Sequence, residues 1–371
     1  MPNDYSAAGL PDLIVNFDEL FKGTRQQLEM FEAPMAAAAL MERQTAGLIP
    51  IYKGMDYRCT GFSVVYQQAD QSTIGNGTAT PAAAECVITP TDTFSGLKAD
   101  YDIDRFFEKK ISVLGKDCDS AIKFATRLSG AMAVKMQQLA LDINQWLIAV
   151  LVANKQTATN TGDYGTGIVG GIVQYNKADL LDATKWQQIL SDWYFLGMEE
   201  LLPASLFGIN GRNFAIQSRD SQFNAANDNQ RSQALALGAM PMFWDIHGFG
   251  ATRANILDNS FLIDPNAYVV ITRNQFSETP EQMGDSNNET RFALPLRYLD
   301  AMGNTQTMMY NLNGTMAPIM VDCRLQYVCD PTNAVDGAPS FNYVMHMSVK
   351  LDMKLAPNQS SKTGIVQIEA V

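Results

Sequence analysis

The sequence predicts a mixed α+β chain whose folded body carries several extended parts. Three observations predict it. Apolar residues recur at steps of three and four over residues 117–155, a single long helical stripe. Strand-like stretches dominate the chain after residue 205. Ahead of the helix lie segments too short or too polar to fold alone.

The first 54 residues read as an arm. Short helical pieces, Leu13–Lys22, Thr24–Phe31 and Met35–Gln44, are separated by Gly23 and Pro34 and followed by Gly47. Each is too short to be stable by itself in water. They must therefore lie on this chain's body or on a neighbour. Residues 55–100 read as an extended β-hairpin loop. Ile51–Tyr52 and Phe62–Tyr66 are strand-like, and Gln67–Pro81 is a polar tip containing Gly75 and Gly77. Strand character resumes at Cys86–Thr89 and continues to Asp104. A two-stranded ribbon is marginal in water unless something supports it.

The helix stripe is Cys118, Ile122, Ala125, Leu128, Met132, Met136, Leu139, Ile143, Leu147 and Val150. Lys123, Arg127, Lys135, Gln138, Asp142 and Gln145 occupy the other face. Asp117 or Asp119 can cap it. Trp146–Val152 is apolar all round and is expected to be buried on every side. Such a helix would reach roughly 58 Å. A loop follows over Thr157–Gly167, then a helix over Asp182–Leu201 with Trp186, Ile189, Leu190 and Trp193 inward, ended by Pro203. Leu206–Ile209 reads as a buried strand, and Asn213–Asp220 and Asn224–Ala236 as short helices. Strands are expected at Met242–Ile246, Ser260–Asp264, Tyr268–Thr272, Thr305–Leu312, Ile319–Val328 and Tyr343–Leu355. Phe276–Thr290, among them, is polar and expected to be mobile. No internal repeat is visible.

Composition bounds what the chain does. Charged residues make up 18% of its 371 positions, against about 25% in an average soluble chain. That deficit suggests surface covered by other chains, and the 19 methionines suit adaptable contacts. A net charge of −12 argues against a dedicated phosphate clamp and helps solubility. Cys59, Cys86, Cys118, Cys323 and Cys329 are odd in number, irregularly spaced and without CxxC, a reducing-compartment pattern. The opening residues lack the charge-then-apolar order of a signal peptide, and no run of about 18 apolar residues occurs. Folding in the cytosol is the expectation.

Catalytic chemistry finds little to stand on. There are two histidines. His247 follows a strand-like stretch, and His346 lies within Tyr343–Leu355; neither has a Ser or Cys in a nucleophile-elbow setting. Gly165-Thr-Gly-Ile-Val-Gly170 matches GxGxxG in letters. A helix and a loop precede it where a dinucleotide site needs a strand, so it is expected to be a flexible turn. Asp100, Asp102 and Asp104 begin like a calcium loop. Arg105 then stands where Gly is needed and Ile111 where Glu is needed. Arg105, Lys109 and Lys110 cluster at an expected strand-to-helix transition, either solvated or paired with an acidic neighbour. The expectation is no catalytic, cofactor-binding or metal residues, no cofactor, and no enzyme.

The order of parts resembles the Hong Kong 97-type major capsid proteins of tailed phages. Local stretches carry the same resemblance: Gly162–Ile172 after the long helix, Ser205–Asp220, Leu237–Trp244 and Phe261–Arg273. It implies an N-terminal arm (1–54), an extended β-hairpin loop (55–100) and a peripheral domain (101–171) with its spine helix at 117–155. An axial domain (172–335) follows, then a return strand to the peripheral domain and the C-terminus (336–371). It also implies hexamers and pentamers in an icosahedral shell around double-stranded DNA, assembled in host cytoplasm and resident in the virion. Expected partners are further copies of the chain, a scaffolding protein, a portal and decoration proteins, with no membrane and no sequence-specific DNA binding. An acidic wall would let packed DNA slide. The competing readings are an encapsulin-like nanocompartment, a tail or baseplate protein, and a hydrolase using His247.

Overall fold

The computed structural model describes residues 33–45, 49–52, 59–67, 96–114, 121–180, 182–200, 202–203, 205–211, 240–245, 258–276, 278, 281–283, 289–300, 304–335, 338–355 and 362–371. Within them, the arm contributes helix α1 (Met35–Arg43). Pro34 precedes it and offers no side-chain cap, so its first N–H groups need partners from elsewhere. Ala37 N–H donates to Asn144 Oδ1 at 2.7 Å and Ala36 N–H to Asp245 Oδ2 at 2.9 Å. Asn144 Nδ2 donates to the same Asp245 oxygen at 2.8 Å, so the two acceptors are themselves joined. At the other end Gln44 accepts from Val270 N–H and donates to the carbonyls of Val270 and Asn311. Tyr268 Oη donates to Leu40 O at 2.6 Å. Ala36 through Met41 are all buried. This part of the arm therefore lies on its own chain's body. Leu13–Lys22 and Thr24–Phe31 lie outside the described residues.

Strands β1 (Ile49–Tyr52), β2 (Cys59–Gln67) and β3 (Gly96–Asp102) form an antiparallel sheet in that order. The expected two-stranded excursion thus has three strands at its base, because β1 pairs with β2 from Ile49↔Ser63 to Tyr52↔Cys59. The tip Gln67–Pro81, apart from Gln67 itself, and Cys86–Thr89 lie outside the described residues.

Strand β4 (Phe106–Leu114) leads toward helix α2 (Ala121–Ala153), 33 residues and about 50 Å long. Leu128, Met132, Met136, Leu139, Ile143 and Leu147 are fully buried, while Arg127 and Gln145 face water. The stripe was read correctly over these positions; the side chains of Ile122 and Ala125 and all of Cys118 are not among those described. One expectation fails. The last turns are not buried on every side, since Ala149, Val152 and Ala153 are exposed. The helix keeps one wet face to its end because only one side meets the sheet.

A six-stranded sheet follows, built of β5 (Gly165–Val169), β6 (Ile172–Tyr175), β7 (Phe207–Asn210), β8 (Met242–Trp244), β9 (Asn259–Ile263) and β19 (Ile365–Ala370). Their order is β5-β6-β19-β9-β7-β8. Helices α3 (Lys177–Leu180) and α4 (Ala183–Glu199) accompany it. Trp186, Ile189 and Trp193 of α4 are buried with Val173, Tyr175, Val366 and Ile368 in one core.

The other large sheet contains β4, β10 (Tyr268–Arg273), β11 (Glu281–Met283), β12 (Glu289–Pro295), β17 (Met320–Val335) and β18 (Ala338–Leu355). Strand β18 pairs with β17, β4 and β10 in turn. Its odd-numbered residues Met345, Met347, Val349 and Leu351 share the core of α2 and α1. Two corrections arise here. Phe276–Thr290 is not a plain mobile loop, since its described residues include β11 and the start of β12, paired from Glu281↔Arg291 to Met283↔Glu289. The single strand expected over Thr305–Leu312 is divided at Met308 into β14 (Thr305–Thr307) and β15 (Met309–Leu312). Met308 is buried and turns its N–H to Leu296 O and its carbonyl to Ile319 N–H. Strand β14 pairs with β13 (Arg297–Leu299), and β15 with β16 (Thr315–Pro318) around Asn313-Gly314, both at positive φ. Asn213–Asp220 and Asn224–Ala236 lie outside the described residues.

Strand pairing crosses the boundary expected at 335/336 in both directions. Strands β10, β12 and β17 join β4 and β18 in one sheet, while β19 sits in the middle of the other.

Candidate functional site

The residues singled out for chemistry are scattered. His247 lies outside the described residues. His346 projects from the solvent side of β18, hydrogen-bonded to Glu108 Oε2 at 2.6 Å and stacked on Phe106 at 6.2 Å between ring centroids. The glycine motif is not a flexible turn. It is strand β5 followed by a tight turn at Gly170 and Gly171, with φ of 60° and 80°, and β6 comes straight after. No helix follows, so phosphates would find no helix N-terminus there. Asp102 and Asp104 are exposed, and no group of three His, Cys, Asp or Glu placed to hold a metal occurs among the described residues. The Cys323 thiol is buried and its pKa is pushed up by burial and by Asp322, which makes it inert. The basic cluster sits at and within strand β4, where no strand-to-helix transition occurs. Lys109 bridges to Asp142 of α2 at 2.6 Å, and the Arg105 guanidinium lies 5.1 Å from the Trp146 ring centre. Both contacts are within the chain.

Two carboxylate knots escaped sequence reasoning. Glu200, fully buried at the end of α4, accepts from Thr159 N–H, Asn160 N–H, the Thr159 hydroxyl, Gln156 Nε2 and Lys362 Nζ. Burial would raise its pKa, but the Lys362 ammonium and the two backbone N–H groups more than offset that and lower it. Asp192 of α4 accepts from Asp163 N–H (2.6 Å), Tyr164 N–H (3.1 Å) and Tyr175 Oη (2.8 Å). Each carboxylate is occupied by its own chain's donors. They fasten the loop after α2 to α4 and present no vacant base. No sequence signal joins partners so far apart.

The solvent side of the sheet that contains β4, β18, β17 and β12 holds the other organised polar group. Strand register sets Lys110, His346, Arg324 and Arg291 in one row across β4, β18, β17 and β12. Glu289, two residues along β12 from Arg291 and on the same face, is bonded by Arg324, Gln326 and Arg291. Burial opposes its charge, yet those donors hold its pKa down to about 2. A depressed carboxylate stabilises the fold above its unfolded value near 4.5, and that contribution is lost as pH falls toward 2. Urea midpoints measured from pH 5 to pH 2 should therefore fall more steeply for the wild type than for Glu289→Gln.

Large apolar side chains left exposed include Phe106, Val152, Val169, Phe195, Met198 and Met316. Among the described residues no helix is long and apolar enough to cross a membrane.

No family profile matches the chain, and no curated protein matches it. Solved phage structures are similar to it in layout. They include a chain of Mycobacterium phage Che8 at 14% identity and a TM-score of 0.41, covering 85% of each chain. The capsid of Myoviridae phage XM1 gives 9% and 0.42, covering 87% of this chain and 90% of that one. Microbacterium phage Oxtober96 gives 11% and 0.38, covering 91% of both.

Proposed function

We propose that this chain is a major capsid protein of the Hong Kong 97-like kind, a shell subunit that self-assembles around the double-stranded DNA of a tailed phage. One observation carries the proposal: the strands outrun their sheets. Among the described residues, β12 accompanies β17 as far as Gln326, and β4 accompanies β18 from Asn342. Beyond these points β17 and β18 stay paired with each other, through Asp330↔Ser340 and Val335↔Ala338. Strands β2 and β3 likewise run together out to Gln67↔Gly96. Ribbons of this kind are marginal in water, and a neighbouring subunit is the natural support. The arm helix, the 33-residue α2 and the late return of β18 supply the family's order of parts. Residence in the virion, assembly in host cytoplasm, and scaffolding, portal and decoration partners belong to the same proposal. So do the arm, loop, peripheral and axial divisions, and the absence of a catalytic step.

Negative-stain microscopy of the expressed chain, alone and with a co-expressed scaffold, should show closed particles. Tubes or rings would favour a tail or baseplate role, and packaged enzyme in place of DNA a nanocompartment. A stable monomer under both conditions would sink the shell assignment. Deleting residues 67–81 should leave a folded monomer while closed particles vanish.

A further inference from the structure

We infer that Asn313 is a latent deamidation site, silenced by the turn that carries it and by the side chain of Asn311. Asn-Gly is the dipeptide in which this chemistry is easiest, because glycine has no Cβ to crowd the attacking nitrogen. The sequence holds three such pairs: Asn76-Gly77, Asn210-Gly211 and Asn313-Gly314. Asn76-Gly77 lies outside the described residues. Asn210 is fully buried and Gly211 N–H donates to Asn259 O at 2.8 Å, so both water and the amide are withheld there. Asn313 and Gly314 are exposed at the tip of the β15–β16 hairpin, with open space beside the Gly314 Cα.

The reaction needs only water. The Gly314 nitrogen, its proton lost to hydroxide, attacks Asn313 Cγ. A C–N bond closes a five-membered succinimide, and the side-chain nitrogen takes up a proton and leaves as ammonia. Water then opens either carbonyl, giving aspartate or isoaspartate. Ring closure requires the glycine nitrogen to swing about the Asn313 Cα–C bond to the side of Cβ. The φ values of 53° and 84° make this two-residue connection a type I′ turn. Its first residue has ψ of about +30°, which leaves that nitrogen nearly opposite Cβ. Attack is barred while the turn stands. Loss of the proton is restrained as well, since Gly314 N–H donates to Asn311 Oδ1 at 2.8 Å. The Asn311 carbonyl accepts from Gln44 Nε2 at 2.6 Å, so the residue after the arm helix steadies the strand that carries this guard.

Conversion would place a negative charge at the hairpin tip. The isoaspartyl form would also insert a methylene into the main chain, and a two-residue turn closing Leu312↔Thr315 has no slack for it. The site therefore keeps a covalent record of how often this tip opens, whatever the chain assembles into.

The test uses the full chain at pH 8.5 and 37 °C, sampled over days, with conversion at residue 313 read by peptide mapping and mass spectrometry. The folded wild type should react at least tenfold more slowly than the same chain in guanidinium chloride, because the rate follows the open population. Asn311→Ala should speed the folded reaction about fivefold, the factor that one net hydrogen bond contributes to the closed turn. Asn311→Asp keeps an acceptor in place and should react as slowly as the wild type. Asn313→Gln serves as the blank, and circular dichroism confirms folding of each variant. Hydrogen exchange over Met309–Pro318 needs no variant and should show the Gly314 amide protected in the wild type. Equal rates in the folded and denatured wild type, or a fast-exchanging Gly314 amide, overturn the shielding by the turn. An Asn311→Ala rate equal to that of the wild type, or Asn311→Asp as fast as Asn311→Ala, overturns the role of Asn311.

Discussion

Ile368→Asp is expected to abolish the fold. Ile368 is fully buried in β19, opposite Val173 of β6 on one side and Ser260 of β9 on the other. A carboxylate there would face the Ser260 hydroxyl, which already donates to Asn210 Oδ1, and would be buried in an apolar core, disrupting the sheet at its centre. Burying a charge without a partner costs several kcal/mol, against a total domain stability of about 5–15 kcal/mol. The variant should be insoluble or lack a cooperative urea transition. Ile368→Ala should lose about 2–5 kcal/mol by leaving a cavity. A wild-type urea midpoint for the aspartate variant would show that β19 does not hold the centre of this sheet.

Removing the Lys362 ammonium comes second in size. Lys362→Met leaves the buried Glu200 carboxylate with four remaining donors and no countercharge. Breaking one side of a buried pair typically costs about 3–5 kcal/mol, and the surviving hydrogen bonds place this case near 3. The diagnostic is the double variant. Adding Glu200→Gln to Lys362→Met should recover part of the loss, because a neutral amide needs no countercharge. Two losses that simply add, measured by urea unfolding at pH 7, would mean that the pair is not coupled.

What could be read in advance follows a physical line. The α2 stripe from Leu128 to Leu147 was legible because a long amphipathic period is a local signal. So were Trp186, Ile189 and Trp193, and the buried run at Phe207–Ile209. Strand β4 was not, since Glu108-Lys109-Lys110 looked like a charged junction. In the sheet Lys110 takes the wet side and Lys109 reaches Asp142 of α2. Strand β19 was missed because six residues, Ile365–Ala370, give too short a pattern to stand out. The Glu200–Lys362 and Asn144–Asp245 contacts join residues 162 and 101 positions apart, and nothing local announces such meetings. The polar row Lys110–His346–Arg324–Arg291 was not legible in the sequence, because it exists only once four strands are in register.

The long pairing of β18 has a mechanical side. Its 18 residues stretch roughly 60 Å, and rungs to β17 and β4 run along much of that length. A pull along the strand axis loads those rungs together, in shear, so none yields before its neighbours. A pull across the strand at a ribbon tip loads them one at a time and peels. A wall under outward pressure stretches in its own plane. In the shell proposed above, a β18 lying in that plane would meet the load in its stiff direction.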